Sequence, residues 1–338
     1  MTIERRTRQP VIDDVAKLAG VSVPTVSRVL TGAARVSDDK RQRVVDAIRE
    51  LNFRPNAVAR ALANRQPKLV AVLAANTSHY GNAATLEGIE EAARAAGYVI
   101  SITVVESTEH EVVRETVALA VGQPIAGVIV LEFDEAGTAA LRSVPPSVPM
   151  VSIAGNGQAA TPHVELDESQ AAFDLTSHLL DLGHHTVHHV KIPSGPREDG
   201  RTLGWRRALQ TRGAPVPPVE QATWEPASGH QIGRHLATDP SVTAIFCGND
   251  EIAIGVMAGA TEIGRRVPAD LSVAGFDDHP LAAFVTPPLT TVRQDFVALG
   301  YRAFQLLQDD LVDETRGPNR LIEEPNIVLR SSVGPPRR

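Results

Sequence analysis

At 338 residues and 43% apolar side chains, the chain is too long for one small domain and too hydrophobic for disorder, so two or three folded units are expected. No apolar run approaches the roughly 18 residues that span a bilayer, and residues 1–10 are Arg-rich without the apolar core of an export signal, which points to the cytoplasm. The net charge of −7 is unevenly spread: residues 1–66 hold 13 Lys or Arg against 7 Asp or Glu, and the remainder holds 20 against 33. A basic head on an acidic body suits binding of a polyanion by the head, since each neutralised phosphate releases counterions.

Val11 to Leu51 reads as three short helices. Asp13 to Ala19 forms the first, with Val15, Leu18 and Ala19 on one face, and Gly20 ends it. Ser22 can cap a second helix that carries Pro24 in its first turn and runs to about Leu30. Thr31 and Gly32 break it, Ser37 caps a third, and Val44, Val45, Ile48 and Leu51 give that helix its apolar stripe.

Gln66, Pro67 and Lys68 mark a seam, after which short β-rich runs alternate with helical stretches. Expected strands are Leu69 to Ala74, Tyr98 to Val104, Gly127 to Leu131, Met150 to Ile153, Val187 to Val190, Ala244 to Phe246 and Ser272 to Ala274. Expected helices between them include Ala83 to Ala96, Ser169 to Leu182 and Glu251 to Gly264. Such alternation specifies parallel sheets covered by helices, here divided between two lobes, with a ligand cleft beyond the carboxyl ends of the strands. The single cysteine, Cys247, reads as a core residue. His184, His185, His188 and His189 lie close enough in sequence to raise zinc binding, but His188 and His189 should point to opposite faces of a strand, and no metal or cofactor is expected.

The run Asp14-Val15-Ala16-Lys17-Leu18-Ala19-Gly20-Val21-Ser22-Val23-Pro24-Thr25-Val26-Ser27-Arg28-Val29-Leu30 resembles the DNA-binding segment of the lactose-repressor/galactose-repressor family. Arg54 to Leu62 looks like that family's hinge helix, and Thr286-Pro287-Pro288-Leu289-Thr290-Thr291-Val292 extends the likeness far along the chain. The resemblance implies a helix-turn-helix head at residues 1–53, a hinge helix at 54–66, and an α/β two-lobed, periplasmic-binding-protein-like body at 67–338 that senses an effector and dimerises. A transport protein would share such a body but would carry an export signal and no helix-turn-helix. No G-x-S-x-G, Walker-type loop or HExxH motif occurs, so an enzyme is not expected.

On this reading Val23, Pro24 and Arg28 face base edges, with Arg28 as guanine reader and the other two either making apolar contacts or serving only as helix start. Ser22, Thr25 and Ser27 offer hydroxyls to phosphates. The resemblance implies that the segment containing Asn56 folds on operator DNA and that Leu62 wedges into the minor groove, the alternative being that Leu62 packs on the body. In the body it implies effector contacts from Arg201, Asn249, Asp277 and Gln294, with Trp224 as a stacking platform. Arg201 offers a planar fork for vicinal hydroxyls or a carboxylate, and Asp250 serves chiefly as a helix cap. The alternative for Trp224 is a core residue, and Gln294 reads equally as a buried structural amide. Ala154, followed by Gly155 and Asn156, stands where some sugar-binding members place an acidic residue; Tyr80 and His79 are either substitutes for that contact or loop surface. The expected partners are a pseudo-palindromic double-stranded operator, a mono- or oligosaccharide effector and a second copy of the chain, with no membrane. Release by effector is the default expectation and a corepressor the alternative. The C-terminal Ser331 to Arg338 carries no leucine heptads, favouring a dimer over a tetramer.

Overall fold

A computed structural model describes residues 10–30, 36–53, 67–154, 161–193, 198–312, 320–323 and 325–337, and the chain divides into two compact units, residues 1–67 and 68–338. In the first, α1 (Ile12–Ala19) ends at Gly20, whose left-handed φ of 62° lets its N–H turn back to the carbonyls of Ala16 and Lys17. Helix α2 (Val23–Leu30) and α3 (Asp38–Glu50) complete the bundle around Val15, Ala16, Ala19, Val26, Val44, Ala47 and Phe53. Leu18, expected on the buried face, is 46% exposed, because the short helix centres that face on Val15, Ala16 and Ala19 and leaves Leu18 on its flank. Ser37 stands at the N-cap of α3 without a side-chain capping bond.

The second unit lays down, in chain order, β1 (Leu69–Ala74), α4 (Tyr80–Ala95), β2 (Val99–Val104), α5 (His110–Val121), β3 (Gly127–Glu132), α6 (Glu135–Ser143), β4 (Met150–Ala154) and β5 (His163–Leu166). It continues through α7 (Glu168–Asp181), β6 (His188–Lys191), α8 (Gly200–Thr211), β7 (Glu220–Gln221), α9 (Pro226–Leu236), β8 (Ala244–Cys247), α10 (Asp250–Glu262) and β9 (Ser272–Ala274). It ends with β10 (Thr291–Arg293), α11 (Phe296–Val312), β11 (Arg320–Glu323) and β12 (Asn326–Val328).

These elements make two lobes. A six-stranded sheet of order β11-β5-β4-β3-β1-β2 has parallel pairs throughout, and so does a four-stranded sheet of order β7-β6-β8-β9. Leu69 to Ala74 is apolar along its whole length because β1 is covered on both faces: Val70, Val72 and Ala74 meet α4 and α11, while Ala71 and Leu73 meet α5 and α6. Helices α4 and α11 pack backbone to backbone, since a Cβ at Gly88 would collide with the Val297 carbonyl and one at Gly300 with that of Thr85. The chain crosses between lobes after β5, before α11 and again between β11 and β12. Strands β10 and β12 pair antiparallel at these crossings.

The runs Leu69 to Ala74 and Ser272 to Ala274 have the limits read from the sequence, and the other anticipated strands shift by a residue at one or both ends. Strands β5, β7, β10, β11 and β12 were not anticipated: they are short, and β5 (His-Val-Glu-Leu) is wholly buried despite two ionisable side chains. Among the described residues no helix is long and apolar enough to cross a membrane.

Trp205 is fully buried between α7 and α8, and its indole N–H donates to the Val187 carbonyl at 2.8 Å. Trp205→Ala should destabilise the body by about 3–5 kcal/mol, because the cavity cannot collapse between helices already in contact. Denaturant unfolding followed by circular dichroism measures this, and a loss below about 1 kcal/mol would contradict the packing described.

Candidate functional site

In the head, α2 shows solvent a face made by Ser22, Pro24 and Arg28, which are exposed, with Thr25 and Ser27 half-buried beside them. Val23 is also half-buried and packs against the head core, so part of its side chain is spent on structure. The Ser22 and Thr25 hydroxyls pair at 2.9 Å. The helix start and its hydroxyls form one polar edge, with Arg28 on the turn beyond. Asn56 and Leu62, with the whole segment 54–66, lie outside the described residues.

In the body, the carboxyl ends of β6, β8 and β9 converge on Arg201, near the start of α8. Its Nε and Nη2 donate to Glu168 Oε1 at 3.2 and 2.7 Å, Nη2 lies 3.3 Å from Asp277 Oδ1, and Nη1 donates to the Gly248 carbonyl. The Phe276 ring lies 4.5 Å from the guanidinium carbon. Gln294 donates to Asp277 Oδ1 at 2.6 Å, while its own Oε1 is buried and receives no hydrogen bond. Burial depresses the ionisation of Arg201, but Glu168 and Asp277 more than offset it and hold the group charged. Burial raises Glu168 against the pull of Arg201, and pushes Asp277 up to about 7 against Arg201 and Gln294.

Asp277 and Asp278 both have positive φ, 109° and 54°, conformations that cost a side-chain-bearing residue energy. The fold holds them there: Asp278 accepts from Arg293 Nε at 2.6 Å and from Arg330 Nη2 at 2.5 Å. Those arginines lie on β10 and just after β12, at crossings between the lobes. Asp250 is buried and receives the Thr291 hydroxyl at 2.6 Å and the His279 N–H at 2.7 Å; burial raises its pKa well above the usual range. Gly275 is obligatory beside it, because any Cβ would strike Asp250 Oδ1.

The opposing lobe contributes the residues after β1 and β3. Tyr80 is the first residue of α4 rather than part of a loop, and its ring meets His279 of the other lobe edge-on at 4.8 Å and Phe296 at 5.8 Å. Burial raises the Tyr80 phenol, helped by Asp277, Asp278, Asp250 and Asp295. His79 lies against Trp224 across the lobes at 4.9 Å, and Phe133 meets Phe296 at 6.0 Å. Trp224 is half-buried with one ring partner already present and packs against the second lobe's core.

The structure therefore gathers Arg201, Asp277 and Gln294 into one hydrogen-bonded group, with Tyr80 and Trp224 on the cleft walls. Asp250 was expected to cap α10, but Asn249 is the cap, accepting from Ile252 N at 2.9 Å, while Asp250 braces β10 and the loop after β9. Asn and Asp are both favoured helix N-caps, so only the fold could separate their jobs. Glu168 escaped the sequence reading because Asp167-Glu168 at a helix start looks like ordinary capping; Asp167 is the cap, and Glu168 is the partner of Arg201. Phe133, Phe296 and Asp278 carried no distinguishing pattern.

The histidine run separates into structural contacts. His184 bonds the Thr243 and Ser272 hydroxyls at 2.9 and 3.1 Å and the Gly334 carbonyl at 3.0 Å. His189 bonds the Phe246 carbonyl and the Thr202 hydroxyl, and burial pulls it down to about 4, so the imidazole is neutral with its proton on Nδ1 facing that carbonyl.

Residues 11–56 match the model of bacterial regulatory proteins of the lacI family, and residues 176–333 match a periplasmic binding protein-like domain. Catabolite control protein A of Priestia megaterium is 35% identical over 315 residues, covering 90% of this chain and 93% of that one. The HTH-type transcriptional repressor PurR of Escherichia coli O139:H28 (strain E24377A / ETEC) is 31% identical over 334 residues, covering 95% and 96%. The lac repressor dimer bound to operator and the anti-inducer ONPF superposes with a TM-score of 0.88 at 28% identity, over 97% of this chain and 100% of that one. A complex of the transcriptional regulator CelR with cellobiose superposes at 0.69 with 28% identity, over 96% and 99%.

The folded state keeps a proton on Asp277 up to about 7, whereas an unfolded aspartate releases it near pH 4. The stability this carboxyl contributes is therefore fully present below about pH 4 and is lost as pH rises through 7. Asp277→Asn removes the titration but keeps an acceptor for Arg201 and Gln294. The melting temperature of the original protein minus that of the variant should fall steadily between about pH 5 and 7.5; parallel curves over that interval would remove Asp277 as a titrating group.

Proposed function

This chain belongs to the lacI family of bacterial regulatory proteins, a DNA-binding transcriptional repressor by that membership, and from that premise we propose that it acts as a homodimer released from its operator by a small sugar held between the lobes of its body. The observation that carries the sensing half is the Arg201 group: one guanidinium joins Glu168, at the first crossing between lobes, to Asp277, which is bonded in turn to Gln294 at the second. A ligand that bonds this group acts directly on the segments about which the lobes turn. Its differential affinity for lobe arrangements changes operator affinity, and by linkage operator changes ligand affinity by the same factor.

Sequence reading falls to α2, with Arg28 as the residue able to give a bidentate pair to guanine, and Ser22, Thr25 and Ser27 near the phosphates. Asn56 and Leu62 are assigned to a hinge that forms on operator and wedges the minor groove. For the second copy, the first lobe offers the edge strand β2 with Val99, Ile102 and Val104 exposed, and the second lobe offers Leu281 and Phe284 at 56% and 82% exposure. Two heads then read the two halves of a pseudo-palindrome. The work is done in the cytoplasm, where the operator is, and we assign the chain no catalytic step.

Arg28→Ala should relax discrimination at one base pair in each half-site by about 1–3 kcal/mol while weakening random-sequence binding little; selection of sites from a randomised library by each protein measures it. Arg201→Ala should abolish the change in gel-shift affinity that an effector produces, the effector itself being found by thermal-shift screening of mono- and disaccharides. An induction response unchanged in Arg201→Ala would remove the cleft from the mechanism.

A further inference from the structure

The floor of the cleft is short of positive charge and of donors. Glu168 and Asp277 share the guanidinium of Arg201, whose Nε–Nη2 edge is already taken by a carboxylate and whose Nη1 is turned to the Gly248 carbonyl. Asp278 is balanced by Arg293 and Arg330 at the lobe crossings. Beside Asp277 the Gln294 amide is fixed in orientation, its nitrogen donating to the carboxylate at 2.6 Å, so its buried Oε1 is left as an acceptor without a donor. Across the cleft burial raises the Tyr80 phenol, and the charges of Asp277, Asp278, Asp250 and Asp295 raise it further.

We propose that this cleft selects its effector by charge, taking a hydroxylated ring compound that carries a protonated amine and shutting out phosphorylated and carboxylated sugars. The proposal rests on the sugar-sensing reading and narrows it. An ammonium group brings three donors and a unit charge to a place that holds an orphan acceptor and two carboxyl groups sharing one guanidinium. A neutral hydroxyl satisfies the acceptor and leaves the charge. A phosphate or carboxylate needs Arg201 to leave Glu168, and then adds its own charge to two carboxylates that have lost their partner, the costliest arrangement in a buried site. Burial first, with Glu168 and Glu251 adding to it, holds the proton on Asp277 up to about 7, and a cation seated beside that carboxyl would draw the proton off.

The test is isothermal calorimetry at neutral pH on the full chain with matched sets: glucose, glucosamine, N-acetylglucosamine, glucose 6-phosphate and glucuronate, and the same forms of galactose and mannose. In at least one set the amino sugar should bind about tenfold or more tighter than its neutral parent and its N-acetyl form, and the phosphate and acid should not bind. Glu168→Gln keeps the acceptor toward Arg201 while removing one charge, and Asp277→Asn does the same at the other carboxylate; each should bring the amino-to-neutral ratio toward one. Tight binding confined to neutral sugars, or binding of a phosphorylated or acidic member, overturns charge selection and leaves sugar sensing intact. Silence across every set, neutral members included, counts against both. A variant that folds and keeps the full amino-to-neutral ratio also overturns the proposal.

Discussion

The body depends on one buried guanidinium. Removing Arg201 would strand Glu168 and Asp277 beside each other without a cation, a change that in buried sites costs about 3–5 kcal/mol. Arg201 is placed by structure on every side of it: Asp199 caps α8 through Thr202 N, Phe276 supports the guanidinium face, and the Gly248 carbonyl takes Nη1. Such a group is rigid because each member is held by others. It is also costly to open, so whatever binds there must replace the bonds it disturbs.

The geometry also separates holding from sensing. Asp250, Asp278, Arg293 and Arg330 brace the crossing strands through hydrogen bonds to Thr291, Leu289, Thr290 and one another. Arg201, Asp277 and Gln294 form a separate bonded group with Glu168. The aromatic contacts of Tyr80 with His279 and of His79 with Trp224 bridge the lobes at its mouth. Those bridges are between neutral or weakly basic rings rather than strong ion pairs, and they can part without leaving a buried charge exposed to its opposite number.

Much of this was legible before any coordinates. Short, continuously apolar runs alternating with helical stretches specify parallel sheets, because strands covered on both faces need apolar side chains on both. Gly20 was readable as a helix stop because a left-handed cap needs a residue without a side-chain penalty. Strands β10, β11 and β12 lie at the crossings between the lobes and, unlike the equally short β8 and β9, carry charged or amide residues among their three or four positions. At the site, Arg201 and Asp277 were singled out by the family resemblance of their flanking residues. Glu168 was not, since a carboxylate at a helix start has an ordinary local use, and its real partner is 33 positions away. Long-range pairing of that kind has no one-dimensional trace in a single chain.

The adjacency of Asp277 and Asp278 reaches beyond the site they build. Their left-handed backbone admits few residue types, asparagine and glycine chief among them, so the range of viable replacements is small and chemically biased. Yet one of the two fastens the crossing strands and its neighbour bonds Arg201 and Gln294. A lineage can therefore exchange a charged for an uncharged side chain at 277 and acquire a new taste in metabolites in a single step, while 278 keeps the joint between lobes intact.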